Sequence, residues 1–337
     1  MKHFQPFYSV KTSGNEIAKK LRDRLVEVSV TQRCGLVSDT CHVKFDNLPS
    51  AQIKLPKETD TIEIAMGYKS GTEDADAKLI GLGKYVVGEF QVKGPIRTLD
   101  IYGNKLNWHE GFKSPKAFTW ESSNENPLLL RDLVNAIADK NSLNAAVDES
   151  LGQTVLPHIE QSESDMQLLT RLANQYDAFM KVIEDKLLFI PKGTGKTLSG
   201  KSAQTSIISP SQIVDWRFKQ HNSQIIRTVE ARYYDFELAE QNTFKQGSGE
   251  PSYQLPYIYS DEFNAEQAAR GKLQQFKRTH QVLSLVVWGD ANIKAGTVIK
   301  FEGDKPPVNG SWFVETVTHT INGLGFISHV TCESLNS

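Results

Sequence analysis

The sequence predicts a β-rich α+β protein in which two blocks of antiparallel strands flank a central segment of helix and hairpin. Apolar and polar residues alternate with a period of two in both the first third and the last third of the chain. Between them, apolar residues recur at helical spacing, with no repeating βαβ pattern. At 337 residues, the chain is long enough for two or three domains. We expect them at 1–112, 113–200 and 201–337.

The first block opens with two strands of clear alternation. The residues expected to face the core are Val26, Val28, Val30, Cys41, Val43 and Phe45. The residues expected on the opposite, polar face are Glu27, Ser29, Thr31, His42, Lys44 and Asp46. Further strands are expected at 61–68, 84–92 and 98–102, and a short helix at 15–24. This pattern predicts a mostly antiparallel barrel or sandwich.

The central segment carries the strongest local signals. Ser164 followed by Gln167 predicts a capping box, since each side chain can satisfy a backbone N–H of the first helical turn. Apolar residues then follow at helical spacing, and two apolar runs at 179–183 and 187–190 predict a β-hairpin. A second helix is expected to begin at Asn126-Pro127. The segment is therefore a small α+β domain.

The second block reads as six strands and one helix. The strands are expected at 213–218, 225–234, 281–288, 297–302, 311–321 and 326–333, and the helix at 266–278. The polar, glycine-rich stretch 240–252 predicts a mobile loop. Asn322–Gly325 predicts a tight turn between the last two strands.

Four stretches carry a resemblance to a known family. They are SESDMQLLTRLANQYDAFMKV with KLLFIPKGTGKTLSG, LIGLGKYVVGEFQVKGP, AEQAARGKLQQFKRTH and GSWFVETVTHTI. Together they resemble the phage late control D family, the baseplate hub proteins of contractile tails, and they extend in order over nearly the whole chain. The family is related to the hub part of type VI secretion spike proteins. The resemblance implies a fold of two tail-tube-like antiparallel β-barrels, each with a packed helix, around the central domain.

The resemblance also implies partners. The chain is expected to form a homotrimer, a pseudo-hexameric ring that joins the tail tube to the central spike. Its partners would be the tail spike protein, a tail tube or tube-initiator protein and the tape measure protein. It would act in the virion tail baseplate after assembly in the host cytoplasm. The alternative is the hub domain of a type VI secretion spike. Such proteins usually continue into a spike region, whereas this sequence stops at Ser337, which favours the phage hub.

In such a ring, the polar face of the first two strands has two possible positions. Glu27, Ser29 and Thr31 on one strand, with His42, Lys44 and Asp46 on the next, are candidate lumen-facing residues. A lining of mixed polar groups with nearly balanced charge would let DNA slide without being held. An outer, solvent-facing position is equally compatible with the alternation, because alternation shows that a face is polar but not which space it meets.

Enzyme classes are disfavoured by the motifs. Gly195-Lys196-Thr197 resembles the end of a P-loop, but the pattern needs a glycine at position 190, which is Ile. No Gly-x-Ser-x-Gly elbow, Cys-His signature or lysozyme-like segment is present, so a P-loop or cell-wall hydrolase remains only the alternative from another class. No catalytic, cofactor-binding or metal-binding residues are assigned. His319 and His329 would lie on opposite faces of the last hairpin, with His319 opposite Ser328.

Composition sets the remaining limits. The net charge is −2, which gives no general attraction to a polyanion, so no sequence-specific nucleic-acid binding is expected. No apolar run reaches the roughly 18 residues that cross a bilayer, and the N-terminus lacks the apolar core of a signal peptide, so no membrane anchor is expected. Cys34, Cys41 and Cys332 are too few for a disulfide framework and are expected to be reduced, partly buried thiols.

Overall fold

The computed structural model describes residues 5–13, 15–16, 21–35, 38–47, 53–57, 60–70, 77–105, 110–123, 125–183, 186–193, 205–222, 225–236, 238–302 and 308–335. Within these ranges strands outnumber helices, and most strand pairs are antiparallel. The prediction of a β-rich α+β fold is confirmed. No helix in the described part of the chain is both long and apolar enough to span a bilayer.

Seven strands precede the central segment. They are β1 (Gln5–Thr12), β2 (Asn15–Glu16), β3 (Leu25–Arg33), β4 (Thr40–Asp46), β5 (Thr61–Lys69), β6 (Ala77–Lys93) and β7 (Thr98–Asn104). The predicted helix at 15–24 is confirmed only at Leu21, which is helical, and is wrong at Asn15–Glu16. Asn15–Glu16 pairs with the end of β1, Arg22–Arg24 is a single 3-10 turn, and residues 17–20 lie outside the described ranges. Pairing with β1 gives the backbone of Asn15–Glu16 hydrogen-bond partners outside a helix.

The central segment alternates short helices and strands. They are α1 (Glu110–Lys113), β8 (Phe118–Trp120), β9 (Leu128–Leu129), α2 (Leu130–Lys140), β10 (Asn144–Val147), α3 (Glu149–Gly152), β11 (Val155–Leu156), β12 (Ile159–Gln161), α4 (Asp165–Gln175), β13 (Ala178–Ile183) and β14 (Lys186–Pro191). One apolar cluster extends from Phe112 to Phe189 and includes the buried faces of α2 and α4. The predicted domain boundaries at 112 and 200 remain predictions.

Two local predictions for the central segment have different outcomes. The capping box is present: Ser164 Oγ accepts from the backbone N–H of Gln167, and Gln167 Oε1 accepts from the N–H of Ser164. Helix α2, however, begins at Leu130 and not after Asn126-Pro127, because Leu128–Leu129 pairs with Val155–Leu156 as a short strand. A tertiary partner therefore shifts the start of this helix.

The last third of the chain forms ten further elements. They are β15 (Thr205–Ile208), β16 (Ile213–Gln220), β17 (Thr228–Asp235), β18 (Glu240–Gly247), β19 (Ser252–Tyr259), α5 (Glu262–Thr279), β20 (Gln281–Trp288), β21 (Val298–Phe301), β22 (Gly310–Asn322) and β23 (Gly325–Ser334). Helix α5 packs on a separate three-stranded sheet of order β18-β17-β19, over a core that includes Val229, Ala231 and Leu255.

The predicted mobile loop at 240–252 is wrong for its first eight residues. They form β18, which pairs with β17 along its whole length, and Phe244 packs against the core beneath α5. The polar composition hid this strand, because Phe244 is the one apolar side chain on its inner face, beside the half-buried Asn242 and Gln246. The turn begins at Gly247, where φ is +93° and a Cβ would lie 2.1 Å from the carbonyl oxygen of Arg227. Only glycine fits such an approach.

The two β blocks join into one sheet of thirteen strands. Its order is β16-β20-β23-β22-β3-β4-β7-β6-β5-β1-β2, with β21 on β22 and β15 on β21. The junction is the antiparallel pair β22–β3, in which Thr316–Asn322 lies along Glu27–Arg33. The expectation of two β-barrels is not confirmed: among the described residues the strands of both blocks form one sheet, and no closed barrel is found. Pairing β3 with β22 satisfies two strand edges that separate blocks would leave unpaired.

One side of this sheet is apolar through both blocks. Val28 and Val30 of β3 lie opposite Ile321 and His319 of β22, so the core-facing side continues across the junction. Two core clusters cover it, one built mainly on the first block and one on the second. The opposite side of the sheet is mostly polar, with Val282, Val286, Trp288 and Ile327 as an apolar patch on β20 and β23.

Candidate functional site

The candidate site is the polar side of the large sheet. It consists of the side chains that alternate with core residues on eight consecutive strands, in the order β16-β20-β23-β22-β3-β4-β7-β6. We call it the polar sheet face. Because each of the eight strands pairs antiparallel with the next, with local bulges in some pairs, residues from both β blocks lie side by side on it.

The structure brings all six sequence-predicted residues together on this face. Glu27 lies opposite Lys44 and Ser29 opposite His42 in the β3–β4 pair, and Thr31 and Asp46 lie at the two ends. Each of the six is half-buried, whereas the neighbours Val28, Val30, Cys41, Val43 and Phe45 are buried. The pattern of alternation therefore gave the correct face for these residues.

Val26 is the exception among the predicted core residues. Its side chain is 42% exposed, and Leu25 packs against the core in its place. The register of β3 against β4 shifts between Leu25 and Glu27, so one extra residue is accommodated at the start of the strand. Such a bulge shifts by one residue which side chains of the strand face the core. No feature of the local sequence indicated it.

An ion and hydrogen-bond cluster lies at the middle of the polar sheet face. His42 Nε2 lies 2.8 Å from Asp100 Oδ1, and its Nδ1 lies 3.5 Å from Glu27 Oε1. The imidazole stacks on Tyr102 with ring centroids 4.7 Å apart. Burial alone would raise the pKa of Asp100, but hydrogen bonds from His42 and Thr98 outweigh it and lower the pKa. Asp100 is therefore held as a carboxylate, with Lys93 Nζ at 3.4 Å.

Threonines and an asparagine form the junction between the two blocks on this face. Thr31 Oγ1 and Thr318 Oγ1 lie 3.0 Å apart, Ser29 is opposite Thr320, and Asn322 Nδ2 donates to Glu27 at 3.5 Å. The β22 residues were not among the site residues predicted from the sequence. Their signal was present, since Thr316, Thr318 and Thr320 alternate with core residues, but only the β22–β3 pairing shows that they extend the same surface.

Charge on the polar sheet face is balanced. Its basic residues are Arg33, Lys44, Lys93, Arg217 and Lys219. Its acidic residues are Glu27, Asp46, Glu89, Asp100 and Asp215, besides Glu333, which is paired with Arg278 of α5. A shallow concavity of about 450 Å³ lies over Ser29, Thr31, His42 and Tyr102. Because each phosphate contact needs a free cation, a similar number of carboxylates among the cations disfavours tight binding of a polyanion.

The residues weighed as metal, redox or nucleotide sites do not assemble into one in the described ranges. His319 pairs with Ser328 as expected and is buried, whereas His329 is exposed on the other face. No group of three or more His, Cys, Asp or Glu side chains that the structure describes could hold a metal ion. Cys34, Cys41 and Cys332 are buried free thiols. Residues 194–204, which include the P-loop-like Lys196, lie outside the described ranges.

Comparison with known proteins gives three consistent findings. Residues 130–324, more than half of the chain, match the family model "Phage tail baseplate hub (GPD)". The chain is 24% identical over 371 aligned residues to the probable baseplate hub protein of Escherichia phage P2, covering 97% of this chain and 93% of that protein. Among solved structures, it resembles the tail protein from Neisseria meningitidis MC58, with TM-score 0.69 and 13% identity over 98% of this chain and 97% of that one.

A fourth likeness concerns secretion. The E. coli c3393 protein, described as a component of the type VI secretion system, matches with TM-score 0.57 and 9% identity, over 97% of this chain and 76% of that one. At such identities the two structural likenesses show a shared fold. The family match confirms the resemblance to baseplate hub proteins that the sequence analysis stated.

Proposed function

Because the chain belongs to the phage tail baseplate hub family, whose members are structural tail components and not enzymes, we propose that three copies of it form a ring between the tail tube and the central spike. The observation that carries this proposal is the polar sheet face, which both β blocks build together. A ring subunit needs one continuous surface for its inner wall, and a sheet shared by both halves supplies it.

Each β block is proposed to correspond to one tail-tube subunit. The two blocks meet edge to edge through β22 and β3, so they lie side by side in one curved wall and not one behind the other. Three chains would then present six similar positions to a sixfold tube on one side and three to a spike on the other. A cyclic ring closes by rotation and leaves no open edge.

The six residues Glu27, Ser29, Thr31, His42, Lys44 and Asp46 are proposed to face the lumen. Their support is the chemistry of the polar sheet face: the six side chains are half-buried, Thr31 and His42 hydrogen-bond to polar neighbours on the same face, and acidic and basic groups are present in similar numbers. DNA passing such a wall meets few unpaired cations and is not retained. The opposite side of the sheet is occupied by the two core clusters, so it is not available for a channel.

The partners proposed for the ring are a second and a third copy of the chain, the spike protein, and a tail tube or tube-initiator protein, with the tape measure protein in the channel. The site of action is the virion tail baseplate, and assembly takes place in the bacterial host cytoplasm. No binding site for any of these proteins is assigned on the chain, except the contact between copies argued below.

Light scattering on the purified chain, alone and mixed with a candidate spike protein, tests the proposal. The expected result is a mass of three chains, either alone at high concentration or in a complex with three spike chains. A monomer that becomes trimeric only with the spike also supports the ring. A stable dimer under both conditions, or a monomer at every concentration and with the spike, would contradict it.

A further inference from the structure

Several strand edges of the large sheet, those of β2 and β15 among them, lack a pairing partner among the described residues, and two of these edges lie at the ends of the polar sheet face. β16 is at the end of the sheet and pairs only with β20. β6 changes neighbours at Val86: the residues up to Val86 pair with β5, and those that follow pair with β7, so Gly88–Lys93 has one free side. Gly88–Lys93 is exposed along its whole length, and β16 is exposed except for half-buried Ile213 and Phe218. Such edges present unpaired N–H and C=O groups to another chain.

The charges on these two edges are complementary in one orientation. On the polar sheet face, β16 carries Asp215, Arg217 and Lys219, and β6 carries Glu89, Gln91 and Lys93. Antiparallel pairing with Arg217 opposite Gln91 places Asp215 opposite Lys93 and Lys219 opposite Glu89. Parallel pairing would place like charges opposite each other. Opposite charges on facing positions stabilise a strand pair, and like charges destabilise it.

The other side of the same two edges is apolar and exposed. Trp216 of β16 is 46% exposed, and Phe90 and Val92 of β6 are 41% and 51% exposed. The antiparallel register that satisfies the charges also places Trp216 opposite Val92 and Phe218 opposite Phe90. Aromatic and β-branched side chains on facing positions are favourable pairs. A single register therefore satisfies both faces of the strand pair.

The topology of the sheet requires the same orientation. From β16 to β6 there are eight strands, each antiparallel to the next, so β6 runs opposite to β16. Rotation about a ring axis keeps the direction of each strand along that axis. The β6 of one copy therefore meets the β16 of the next copy in antiparallel orientation, which is the one that the charges favour.

We propose that Gly88–Lys93 of one chain pairs antiparallel with β16 of the next chain, and that this contact joins the copies of the ring. The proposal rests on the ring of the proposed function and names the surfaces that meet in it. The polar sheet face would then continue without a break from copy to copy, because its charged residues are neighbours across the contact.

Charge reversal with rescue tests the contact. Lys219→Glu alone and Glu89→Lys alone each place like charges opposite each other, and each is expected to raise the concentration at half-assembly about ten-fold. The double variant K219E/E89K restores opposite charges and should assemble like the unchanged chain. Assembly is read as mass by light scattering, with circular dichroism to show that each variant folds. Lys186→Glu, exposed at the start of β14, is the matched control and should have no effect.

A disulfide provides a second measurement. Gln91→Cys and Arg217→Cys in one chain place two Cα atoms about 4.5–5.5 Å apart across the proposed contact, within the range of Cα separations that a disulfide spans. After oxidation with oxidised glutathione, the double variant should migrate as a covalent trimer on a non-reducing gel, and each single variant as a monomer. The three native cysteines are buried and should not react.

The outcomes separate this proposal from the proposed function. Trimers that neither respond to charge reversal nor form the disulfide would overturn the contact and leave the ring intact. Loss of trimer in the single variants without rescue in the double variant would also overturn it. Monomers under every condition would overturn the ring, and the contact with it.

Discussion

His319 is a buried residue with a partner for each ring nitrogen. Nε2 lies 3.1 Å from the carbonyl oxygen of Ile293, which can only accept, so Nε2 carries the proton. Nδ1 then accepts from the hydroxyl of Ser328 at 2.8 Å, and Ser328 Oγ accepts from the backbone N–H of Asp290. Burial lowers the pKa of His319 to about 4 from an ordinary value of 6.5. The imidazole is therefore neutral in the folded protein.

This geometry predicts a pH-dependent loss of stability. Above pH 6.5 the imidazole is neutral in both the folded and the unfolded chain, and it makes its full contribution to the free energy of unfolding. As the pH falls from 6.5 to 4, the unfolded chain binds a proton that the folded chain does not, so the free energy of unfolding falls by roughly 3 kcal/mol. Urea unfolding of His319→Gln between pH 4.5 and 7.5 should show a shallower dependence than the unchanged chain. His329→Gln, exposed on the same strand pair, should not change the slope, and equal slopes for all three proteins would contradict the prediction.

At the scale of single elements, the capped helix α4 is the clearest case of local control. Ser164 is 1% exposed, and its hydroxyl accepts the N–H of Gln167 at 3.2 Å. Ser164→Ala removes that acceptor and should lower the free energy of unfolding by about 1 kcal/mol. Urea unfolding measures the change. Ser162→Ala, two residues earlier and exposed, is the control. Equal losses in both variants would show that the cap does not act as described.

The strands of this protein depend on distant segments of the chain more than its helices do. β18 has little apolar content and is fixed by pairing with β17 and by Phe244. The start of α2 is likewise determined by the pairing of Leu128–Leu129 with a distant segment. The capping box needs only residues three apart in sequence, so it was predictable.

At the scale of the whole molecule, two ion clusters hold the central segment to the β blocks. Lys181 Nζ of β13 donates to the carbonyl oxygen of Arg33 and to Asp39 Oδ1, each at 2.8 Å. In the second cluster, the guanidinium of Arg278 on α5 makes a bidentate contact with Asp177, and its Nε donates to Glu333 Oε2 at 2.6 Å. Burial would lower the pKa of Arg278, but these two carboxylates raise it. Arg278 therefore keeps its positive charge although the residue is only 1% exposed.

Loss of this arginine should be costly. Arg278→Met leaves Asp177 and Glu333 without their cation, and we expect the free energy of unfolding to fall by about 3–5 kcal/mol. Adding Asp177→Asn should recover part of the loss, since it removes a buried charge and asparagine tolerates the positive φ of 46° at this position. Urea unfolding measures both. Lys277→Met, on the exposed side of the same helix, is the control, and an equal effect of K277M and R278M would contradict the role of the cluster.

The lumen-facing position of the polar sheet face leads to a prediction for the particle. Replacing Glu27, Ser29 and Thr31 by lysine adds cations that can bind phosphate, so DNA ejection should be impaired while folding and trimer formation persist. Infectivity of particles that carry the variant hub measures the effect. The control replaces Glu240, Gln241 and Thr243 of β18 by lysine, an equal change of charge on another exposed strand. Normal infectivity with all three lumen lysines would instead place the polar sheet face on the outside of the ring.

The sequence by itself determined the β-rich α+β class, the central helix with its cap, the face on which Glu27–Thr31 and His42–Asp46 lie, and the register of the last hairpin. These features depend on periodicity and on contacts between residues close in sequence, and both can be read directly from the order of the residues. The resemblance added the family.

Only the tertiary structure decided that β22 pairs with β3, that both blocks form one sheet, that Val26 leaves the core at a bulge, and that residues 240–247 form a strand. Each of these depends on a partner segment far away in the chain. The free energy of a strand pair comes from the partner's backbone and side chains, so alternation in one strand cannot show which edge it will meet.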